Sequence, residues 1–304
     1  MAFIEKQNHG GHLYYYLAKS IRTKEGKTKK FRILLGRALP SKAELQKVLA
    51  RLDKIAAKEQ RIGWLSDETI ERLEDLRSSI LIFKKTPEDI LPKDFLVRFT
   101  YNTNAIEGNR LTLRQTALLL ADKIAPEGAS SNDVIEALNS EDAWEFIKSY
   151  KGQFNNTFLL RVQYLITKST SCRMQGKYRD NEVRILGSDW TPPLHSKVPV
   201  MMNKIFSDCS KQKRAMHPVE LASWAHCNIV QVHPFTDGNG RTARLIMNWM
   251  LIKNHFPPVI IEVKNKERYY NAIEEADKGK TVNFAHFVAQ QLLEQYVTSR
   301  SDTN

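Results

Sequence analysis

Residues 233–244 read His-Pro-Phe-Thr-Asp-Gly-Asn-Gly-Arg-Thr-Ala-Arg. This stretch joins two segments of helical periodicity, and the second, residues 245–252, is apolar on nearly every side. A helix that is apolar all round is expected in the centre of a domain. The sequence therefore predicts a mainly helical fold in which this loop leads into a buried central helix.

The same stretch has the composition of an anion site. Gly238 and Gly240 let the backbone turn so that successive N–H groups face one point, and the N-terminus of the next helix adds further free N–H groups. Arg241 and Arg244 lie in the first helical turn, where the helix dipole disfavours cations and where the two side chains also repel each other. Because arginine is unfavourable at both of these positions, its presence indicates that the site binds an anion of two or three phosphates.

Two further side chains of the loop indicate chemistry beside the phosphates. Asp237 alone would repel phosphate, but it is well placed to hold Mg²⁺ that bridges phosphate oxygens. His233, at the end of the preceding helix, is a natural general base for an incoming hydroxyl group. Taken singly, His233 is also interpretable as a helix-end histidine and Asp237 as a turn residue. Outside this loop we assign no function to His195, His226 and His286.

Helical periodicity extends over most of the chain. It predicts helices within 41–85, 92–106, 112–123, 132–151, 158–170, 218–232, 266–277 and 283–298. Ser41 with Glu44 and Thr112 with Gln115 have the spacing of capping boxes. Gly108 is suited to end a helix in the left-handed conformation.

A strand-like segment interrupts the helical region. Residues 183–186 are strand-like, residues 187–189 are typical of a turn, and Pro192-Pro193 imposes an extended path. We predict a hairpin over 183–191, which either decorates the helical region or presents backbone to a partner.

The N-terminal section is basic and rich in aromatic residues. Residues 13–21 and 29–36 flank a loop with Gly26, which predicts another hairpin. Net charge is +12, and residues 1–60 hold 14 Lys and Arg against 5 Asp and Glu, or +9. Such a section either contacts nucleic acid or another acidic partner, or is a solvated surface.

Bulk composition limits the remaining classes of protein. The 304 residues include 42% hydrophobic ones, which is enough for a large core and argues against disorder. No apolar run approaches the ~20 residues that span a bilayer, and no signal-peptide pattern opens the chain, so we expect a cytoplasmic protein. Cys172, Cys209 and Cys227 are widely spaced and indicate reduced thiols rather than a zinc site or a disulfide framework.

The twelve-residue loop matches every defined position of His-Pro-Phe-x-Asp-Gly-Asn-Gly-Arg-x-x-Arg, the signature of the Fic family. The chain resembles that family over about 87–298. The resemblance implies a Fic-type helical bundle with a β-hairpin flap, which transfers the AMP moiety of ATP to a Ser, Thr or Tyr hydroxyl of a protein. We divide the chain into a basic β-rich module at 1–40, a helical connector at 41–86, a catalytic domain at 87–298 and a tail at 299–304.

The resemblance also assigns roles to single residues. It implies that His233 deprotonates the target hydroxyl, that Asp237 binds Mg²⁺ and that Phe235 anchors the loop in the core. The residues implied to hold the α- and β-phosphates are Gly238, Asn239, Gly240 and Arg241, and Arg244 is implied to meet the γ-phosphate. The residues that resemble the target-docking flap are Val183, Arg184, Ile185 and Leu186. Tyr269 or Tyr270 is implied to line the adenine side.

A second motif concerns inhibition. Residues 103–108, Thr-Asn-Ala-Ile-Glu-Gly, resemble the family's inhibitory motif Ser/Thr-x-x-x-Glu-Gly/Asn in the class whose inhibitory helix precedes the catalytic core. Glu107 is then expected to pair with Arg244, where its carboxylate takes the place of the γ-phosphate and repels it. A plainer interpretation, in which Glu107 only ends a Gly-capped helix, is compatible with this one.

Several functional alternatives stay open. In some inhibited family members the same glutamate positions a water that removes AMP from a modified target, so a deAMPylase is one alternative. The intact Gly-Asn-Gly-Arg favours nucleotidyl transfer over phosphate transfer but leaves UMP open. The implied partners are ATP with Mg²⁺ and a target protein, and this chain could itself be such a target. Further copies in a homo-oligomer and nucleic acid at residues 1–60 are the other implied partners.

Overall fold

The computed structural model describes residues 2–22, 28–60, 63–82, 91, 94–185 and 187–296. In these ranges the protein contains three β-strands and eleven α-helices. Contacts group the chain into two compact units, Met1–Gly63 with Gln212–His217, and Trp64–Lys211 with Pro218–Asn304. The boundary near residue 63 falls inside the connector predicted at 41–86. The four predicted domain ranges stay predictions.

The first unit is built on a three-stranded antiparallel sheet. Its strands pair in the order β1 (Ala2–His9), β2 (His12–Arg22) and β3 (Thr28–Gly36). The predicted hairpin is confirmed as β2 and β3, and its loop with Gly26 lies outside the described residues. Strand β1 was not predicted, because it has few apolar residues. It is recognisable chiefly by the Gly10-Gly11 turn that follows it, in which both glycines have positive φ.

One helix, α1 (Lys42–Gln60), completes the first unit and packs on one face of the sheet. On that face Leu17 and Ile21 are buried, and Nζ of Lys19 lies 2.6 Å from Oδ1 of Asp53. The predicted capping box at the start of α1 is confirmed. Glu44 N donates to Ser41 Oγ at 3.3 Å, and Ser41 N donates to Glu44 Oε2 at 3.0 Å.

The second unit is helical. Its helices are α2 (Asp67–Ile82), α3 (Phe95–Ile106), α4 (Leu113–Ala121), α5 (Ser131–Ser149), α6 (Asn156–Thr167), α7 (Val198–Gln212), α8 (Pro218–Val232), α9 (Asn239–Lys253), α10 (Lys266–Asp277) and α11 (Thr281–Tyr296). All were predicted except α7. Helix α7 was not predicted, because Pro199 continues a proline-rich stretch. Proline is nevertheless well tolerated in the first turn of a helix, where Pro199 lies.

The predicted central helix is confirmed as α9. Its residues from Leu245 to Leu251 are all buried, and helices α3, α5, α6 and α8 contact it. The predicted capping box of Thr112 and Gln115 opens α4, and Gly108 after α3 has φ of +98°. The C-terminus of α3 and the N-terminus of α9 are therefore both fixed by local sequence signals, and they meet in the site.

The predicted hairpin over 183–191 is wrong. Within the described residues, 183–185 and 187–190 have no strand pairing, and Leu186 lies outside the description. Ser188 N donates to Ile185 O at 3.2 Å, which closes a turn, and Trp190 Nε1 donates to Gln231 O on α8 at 2.9 Å. An isolated two-stranded ribbon is only marginally stable, and here the segment is held by α8 instead of by a partner strand.

Two further expectations concern membrane-spanning helices and cysteine. None of the described helices has both the length and the apolar character needed to cross a membrane. None of the three cysteines, all of which lie in the described part of the chain, forms a disulfide; Cys209 and Cys227 are buried and Cys172 is partly buried.

Candidate active site

The loop between α8 and α9 is pinned to the core by its own side chains. Phe235 is fully buried, which confirms it as the predicted anchor, and truncating a buried phenylalanine typically costs ~3–5 kcal/mol. Asn239 holds the same residue by its backbone: its Nδ2 donates to Phe235 O at 2.9 Å, and its Oδ1 accepts from Phe235 N at 3.0 Å. Both ends of the Asn239 amide are thus bonded to the backbone of Phe235, and the backbone N–H of Asn239 is available for a phosphate contact at the start of α9.

The loop opens on a cleft of about 360 Å³. Six predicted site residues line it: Glu107, Ile185, His233, Asn239, Gly240 and Arg244. Tyr270, Ile273, Glu274 and Asp277 of α10 line it as well. The fold therefore brings predicted site residues from α3, the 183–190 segment, the loop and α9 together in one cleft.

Glu107 and Arg244 form an ion pair across this cleft. Arg244 Nη2 donates to Glu107 Oε1 at 2.7 Å. The side chain of Arg244 is 2% exposed, whereas that of Glu107 keeps 32% of its surface exposed to the cleft. Burial by itself would raise the pKa of Glu107, but Arg244 and then Arg241 lower it below the ordinary value, so the carboxylate is ionised at neutral pH.

The carboxylate of Glu107 also lies against the first turn of α9. A Cβ atom placed on Gly240 would come within 2.3 Å of Glu107 Oε1, so any other residue at 240 would push the carboxylate away from this position. The free N–H groups and the helix dipole make this the most favourable place for an anion. Glu107 therefore lies where the anion site was predicted.

Thr103 and Tyr269 hold the rest of the Arg244 guanidinium. Nε donates to Thr103 Oγ1 at 2.9 Å, Nη2 to Thr103 O at 2.8 Å, and Nη1 to Tyr269 Oη at 3.1 Å. Tyr269 in turn lies 2.9 Å from Nε2 of the buried His226. Because the Tyr269 oxygen accepts from Arg244, its proton is free to go to His226, whose ring is neutral since burial lowers its pKa well below 6.5.

Tyr269 and Tyr270 therefore differ in position. Tyr269 is 1% exposed and supports Arg244, whereas Tyr270 is 38% exposed and lines the cleft. Only Tyr270 of the two presents substantial surface to a nucleotide base.

Arg241 faces a different set of partners from Arg244. Its Nη1 lies 2.9 Å from Oε1 of Glu136 on α5, and its Nη2 donates to Asp237 Oδ1 at 3.3 Å. Glu136 also accepts from Asn109 Nδ2 at 2.9 Å, and Asn109 directly follows Gly108. The first arginine of the motif is thus tied to α5 and, through Asn109, to the end of α3.

Asp237 has the properties of a partial metal ligand. Its side chain is 47% exposed, and its Oδ1 accepts from Gly238 N at 2.6 Å. Among the described residues, no three His, Cys, Asp or Glu side chains gather into a metal-binding group. Mg²⁺ is commonly held by one or two carboxylates together with substrate phosphates. A single exposed carboxylate beside an anion site fits that mode.

His233 has an unusual backbone and an unusual ring environment. Its φ is +48°, in the left-handed region that non-glycine residues seldom adopt. Burial lowers the pKa of its ring to about 4, with a smaller contribution from Arg179, while the Val230 carbonyl, Glu107 and Asp237 oppose the shift. The ring is therefore neutral at pH 7 and able to accept a proton.

Three residues around the site were missed by the sequence analysis. Arg179 donates from Nε to the carbonyl of His233 at 2.8 Å, Glu136 holds Arg241, and His226 supports Tyr269. His226 lies seven residues before His233, inside α8, which ends at Val232, and this proximity to the motif was a usable signal. Arg179 and Glu136 give no local signal, since their partners are distant in sequence.

The chain resembles known proteins in sequence. Residues 153–251 match the model of the Fic/DOC family. Protein adenylyltransferase Fic of Nematostella vectensis is 30% identical over 280 residues, which make up 88% of this chain and 64% of that protein. The enzyme of the same name from Aedes aegypti is 30% identical over 253 residues, which make up 80% of this chain and 50% of that protein. The chain thus spans between half and two thirds of the length of these relatives.

Solved structures share the fold. Fic-1 of C. elegans superposes with a TM-score of 0.68 at 24% identity, covering 87% of this chain and 80% of that chain. A Fic domain containing signalling protein from Bacteroides thetaiotaomicron superposes with a TM-score of 0.63 at 23% identity, covering 83% of this chain and 94% of that chain.

Proposed function

This chain belongs to the Fic/DOC family, and from that premise we propose that it is an autoinhibited protein adenylyltransferase. One observation carries the proposal: a neutral histidine, a helix N-terminus and a buried arginine line a single cleft, and a carboxylate is seated on that arginine. Relatives named protein adenylyltransferase Fic support the choice of AMP transfer.

In the proposed reaction a Ser, Thr or Tyr hydroxyl of a target protein attacks the α-phosphorus of ATP. The new oxygen–phosphorus bond forms as the bond from the α-phosphorus to the bridging oxygen breaks, and pyrophosphate leaves. His233 takes the hydroxyl proton, and Nε2 is the nitrogen for this task because Nδ1 is buried. The positive end of α9 and the backbone N–H groups after Gly238 bind the phosphate oxygens.

Asp237 is the residue we propose for Mg²⁺. When bound, the ion would neutralise phosphate charge and orient the pyrophosphate leaving group. The contact of Asp237 with Arg241 is long, at 3.3 Å, so the carboxylate could turn toward a metal ion while Arg241 stays paired with Glu136.

Autoinhibition is proposed from the contact of Glu107 with Arg244. A γ-phosphate that approached Arg244 would meet the ionised carboxylate and would be repelled by it. ATP would then bind weakly or with its α-phosphate turned away from His233. The same carboxylate could alternatively orient a water for AMP removal, which is the reverse activity that the resemblance implies.

The target protein is proposed to dock on residues 183–186. Ile185 lines the cleft, and the backbone of the described part of this segment has no strand partner. An extended target segment could pair with it by adding a strand. This would bring the target hydroxyl toward His233.

Mass spectrometry tests the proposal directly. Glu107→Gly protein is incubated with a cell lysate, Mg²⁺ and an equimolar mixture of ATP and UTP, and modified peptides are sequenced. We expect AMP on hydroxyl side chains, including those of the protein itself, and none with the Glu107→Gly, His233→Ala double variant. Transfer of UMP, or labelling that survives loss of His233, would contradict the proposal.

Reverse activity is tested on the products of that experiment. An adenylylated target is incubated with wild type and with Glu107→Gly. Release of AMP by wild type alone would favour the deAMPylase. Homo-oligomer formation and a cytoplasmic location stay predictions, which light scattering after size-exclusion chromatography and cell fractionation would test.

We also propose that the N-terminal sheet binds single-stranded nucleic acid, because its face opposite α1 is both aromatic and basic. By strand register, this face carries Phe3, Glu5, Tyr16, Lys30, Arg32 and Leu34. Glu5 lies 2.5 Å from Lys30 and 3.8 Å from Arg32, so the phosphates of a nucleic acid would compete with this one carboxylate for the two cations. Phe3 is 45% exposed and Leu34 54% exposed, and Lys30 lies over the ring of Phe3 at 5.4 Å. Aromatic side chains stack on bases while cations bind phosphates, which is the usual design of single-strand binding surfaces.

A charge-matched comparison tests this surface. Lys30→Glu with Arg32→Glu is compared with Lys47→Glu and Arg51→Glu on α1, which change net charge equally. Fluorescence anisotropy with a labelled oligonucleotide is recorded at two salt concentrations. We expect only the sheet variant to abolish binding, and wild-type binding to weaken steeply with salt. An equal loss of oligonucleotide binding in both variants would show that binding depends only on net charge, which would contradict the proposed surface.

A further inference from the structure

Arg179 is a buried cation whose partners are almost all backbone carbonyls. The residue is 3% exposed and follows Gly176-Lys177-Tyr178 in the connection after α6. Its nearest carboxylate, Glu182, lies 3.6 Å away and is half exposed. Buried charges are usually paired with opposite charges, because removal from water is costly. A guanidinium buried on carbonyls therefore calls for a functional reason.

One side of Arg179 holds the backbone of the proposed base. Its Nε donates to His233 O at 2.8 Å, and its own backbone N–H donates to Pro234 O at 2.9 Å. His233 N donates to Ile229 O at 3.0 Å, so the backbone is held on both sides of the strained residue. A left-handed φ in a non-glycine residue persists only where its surroundings fix it.

The other side of the guanidinium holds the segment that lies over the cleft. Nη1 donates to Asn181 O at 2.9 Å, and Nη2 donates to Pro193 O. These two carbonyls lie at the two ends of residues 182–192, which include Ile185 and Trp190. One planar side chain therefore joins both ends of this segment to the backbone of His233.

We propose that Arg179 is a positioning residue that sets the base and the target-docking segment in one fixed geometry. The inference rests on the proposed function, since it concerns the protein acceptor. The hydrogen bonds and the ion pair of Arg179 go to His233, Pro234, Asn181, Pro193 and Glu182, and none goes to Glu107, to Arg244 or to the first turn of α9. Its effect should therefore fall on transfer to protein and spare nucleotide binding.

The choice of arginine follows from its shape. Its planar group directs donors to three separate carbonyls at once, whereas lysine has a single ammonium on a flexible stem. Arg179→Lys keeps the charge and removes this geometry. Arg173→Lys is the matched control, because Arg173 lies in the same connection, is 76% exposed and makes only a surface ion pair with Asp180.

Kinetics in the Glu107→Gly background test the inference. We expect Arg179→Lys to lower kcat for protein modification by about 10- to 100-fold, as misplaced catalytic groups do, with the Kd for Mg²⁺-ATP within about threefold of the parent. Arg173→Lys should leave both values unchanged. A parallel loss of ATP affinity, or a change in kcat below about threefold, would overturn the inference. Failure of the parent variant to label any protein would instead contradict the proposed function.

Hydrogen exchange gives a readout that requires neither enzymatic activity nor high stability of the Arg179→Lys protein. In otherwise wild-type protein, Arg179→Lys should accelerate amide exchange in residues 181–195 and around His233. Exchange in α9 and α3 should stay as in the parent. Uniform acceleration over the whole helical unit, with a lowered Tm, would show a general structural role and would also overturn the inference.

Discussion

Oε1 of Glu107 lies 2.7 Å from Nη2 of Arg244, although the two residues are 137 positions apart in the chain. The remaining nitrogens of Arg244 are bound to Thr103 and Tyr269. An anion that is to bind Arg244 therefore has to displace the carboxylate of Glu107, because Thr103 and Tyr269 are buried whereas Glu107 has exposed surface. The strength of this single contact should decide how active the protein is.

Removal of the carboxylate is expected to activate the protein. Glu107→Gly should raise the rate of AMP transfer by about 5- to 150-fold, the usual range of coupling between an inhibitory contact and a ligand. The measurement is incorporation of ATP labelled on its α-phosphate. Glu127→Gly is the control, since Glu127 is an exposed loop residue preceding another glycine. Equal rates in Glu107→Gly and wild type would rule out inhibition by this residue.

Thr103 should matter for stability as well as for inhibition. Thr103→Val removes the hydroxyl that accepts from Nε of Arg244, and loss of a hydrogen bond to a buried charge costs ~1.5–3 kcal/mol. Urea denaturation should show this loss in the free energy of unfolding.

Thr100 provides a matched control on the same helix. It is as deeply buried, but its Oγ1 has no hydrogen-bond partner. Thr100→Val should therefore leave stability unchanged or increase it, since an unpartnered buried hydroxyl is itself unfavourable. A larger loss in Thr100→Val than in Thr103→Val would contradict the assigned contact.

The ring of His233 should titrate far below an ordinary histidine. Burial lowers its pKa to about 4, so between pH 7 and 5 the folded ring stays neutral while an unfolded histidine gains a proton. This difference contributes stability that is present above pH ~6.5 and is lost as the pH falls toward 4. NMR titration of the imidazole signals, assigned with His233→Ala, should give a midpoint below 5. A midpoint near 6.5 would show that the ring is solvated.

Much of the site could be predicted because its residues lie in short motifs with local physical meaning. The glycine after Asp237, the arginine at 241 in the first turn of α9 and the glycine that ends α3 are each recognisable from their immediate neighbours in the sequence. The ion pair of Glu107 with Arg244 was predicted from the family resemblance, and the structure contains it.

What could not be predicted depends on contacts between distant parts of the chain. The segment around Ile185 has the composition of a hairpin, yet Trp190 donates to the carbonyl of Gln231 and the described residues of the segment show no strand pairing. Arg179 and Glu136 look like surface residues in sequence, and only folding shows that they hold His233 and Arg241. Propensity describes neighbours in sequence, whereas these partners are neighbours only in space.

A substitution at Asn109 is expected to weaken the contact between Glu107 and Arg244 without changing either of these two charged residues. Its Nδ2 donates to Asp133 O at 3.0 Å and to Glu136 Oε2 at 2.9 Å, and its Oδ1 accepts from Leu111 N at 3.1 Å. These bonds fix the end of α3 on α5, two residues after Glu107.

Asn109→Ala should therefore raise AMP transfer by a smaller factor than Glu107→Gly, because the carboxylate remains but its helix end is less well held. Each lost hydrogen bond corresponds to ~0.5–1.5 kcal/mol, or up to about tenfold in an equilibrium. Labelling with α-phosphate-tagged ATP measures the effect, and Asn132→Ala, an exposed position on α5, is the control. In the Glu107→Gly background Asn109→Ala should add nothing, since there is no carboxylate left to position; a further increase there would mean that Asn109 acts on Arg241 through Glu136 instead.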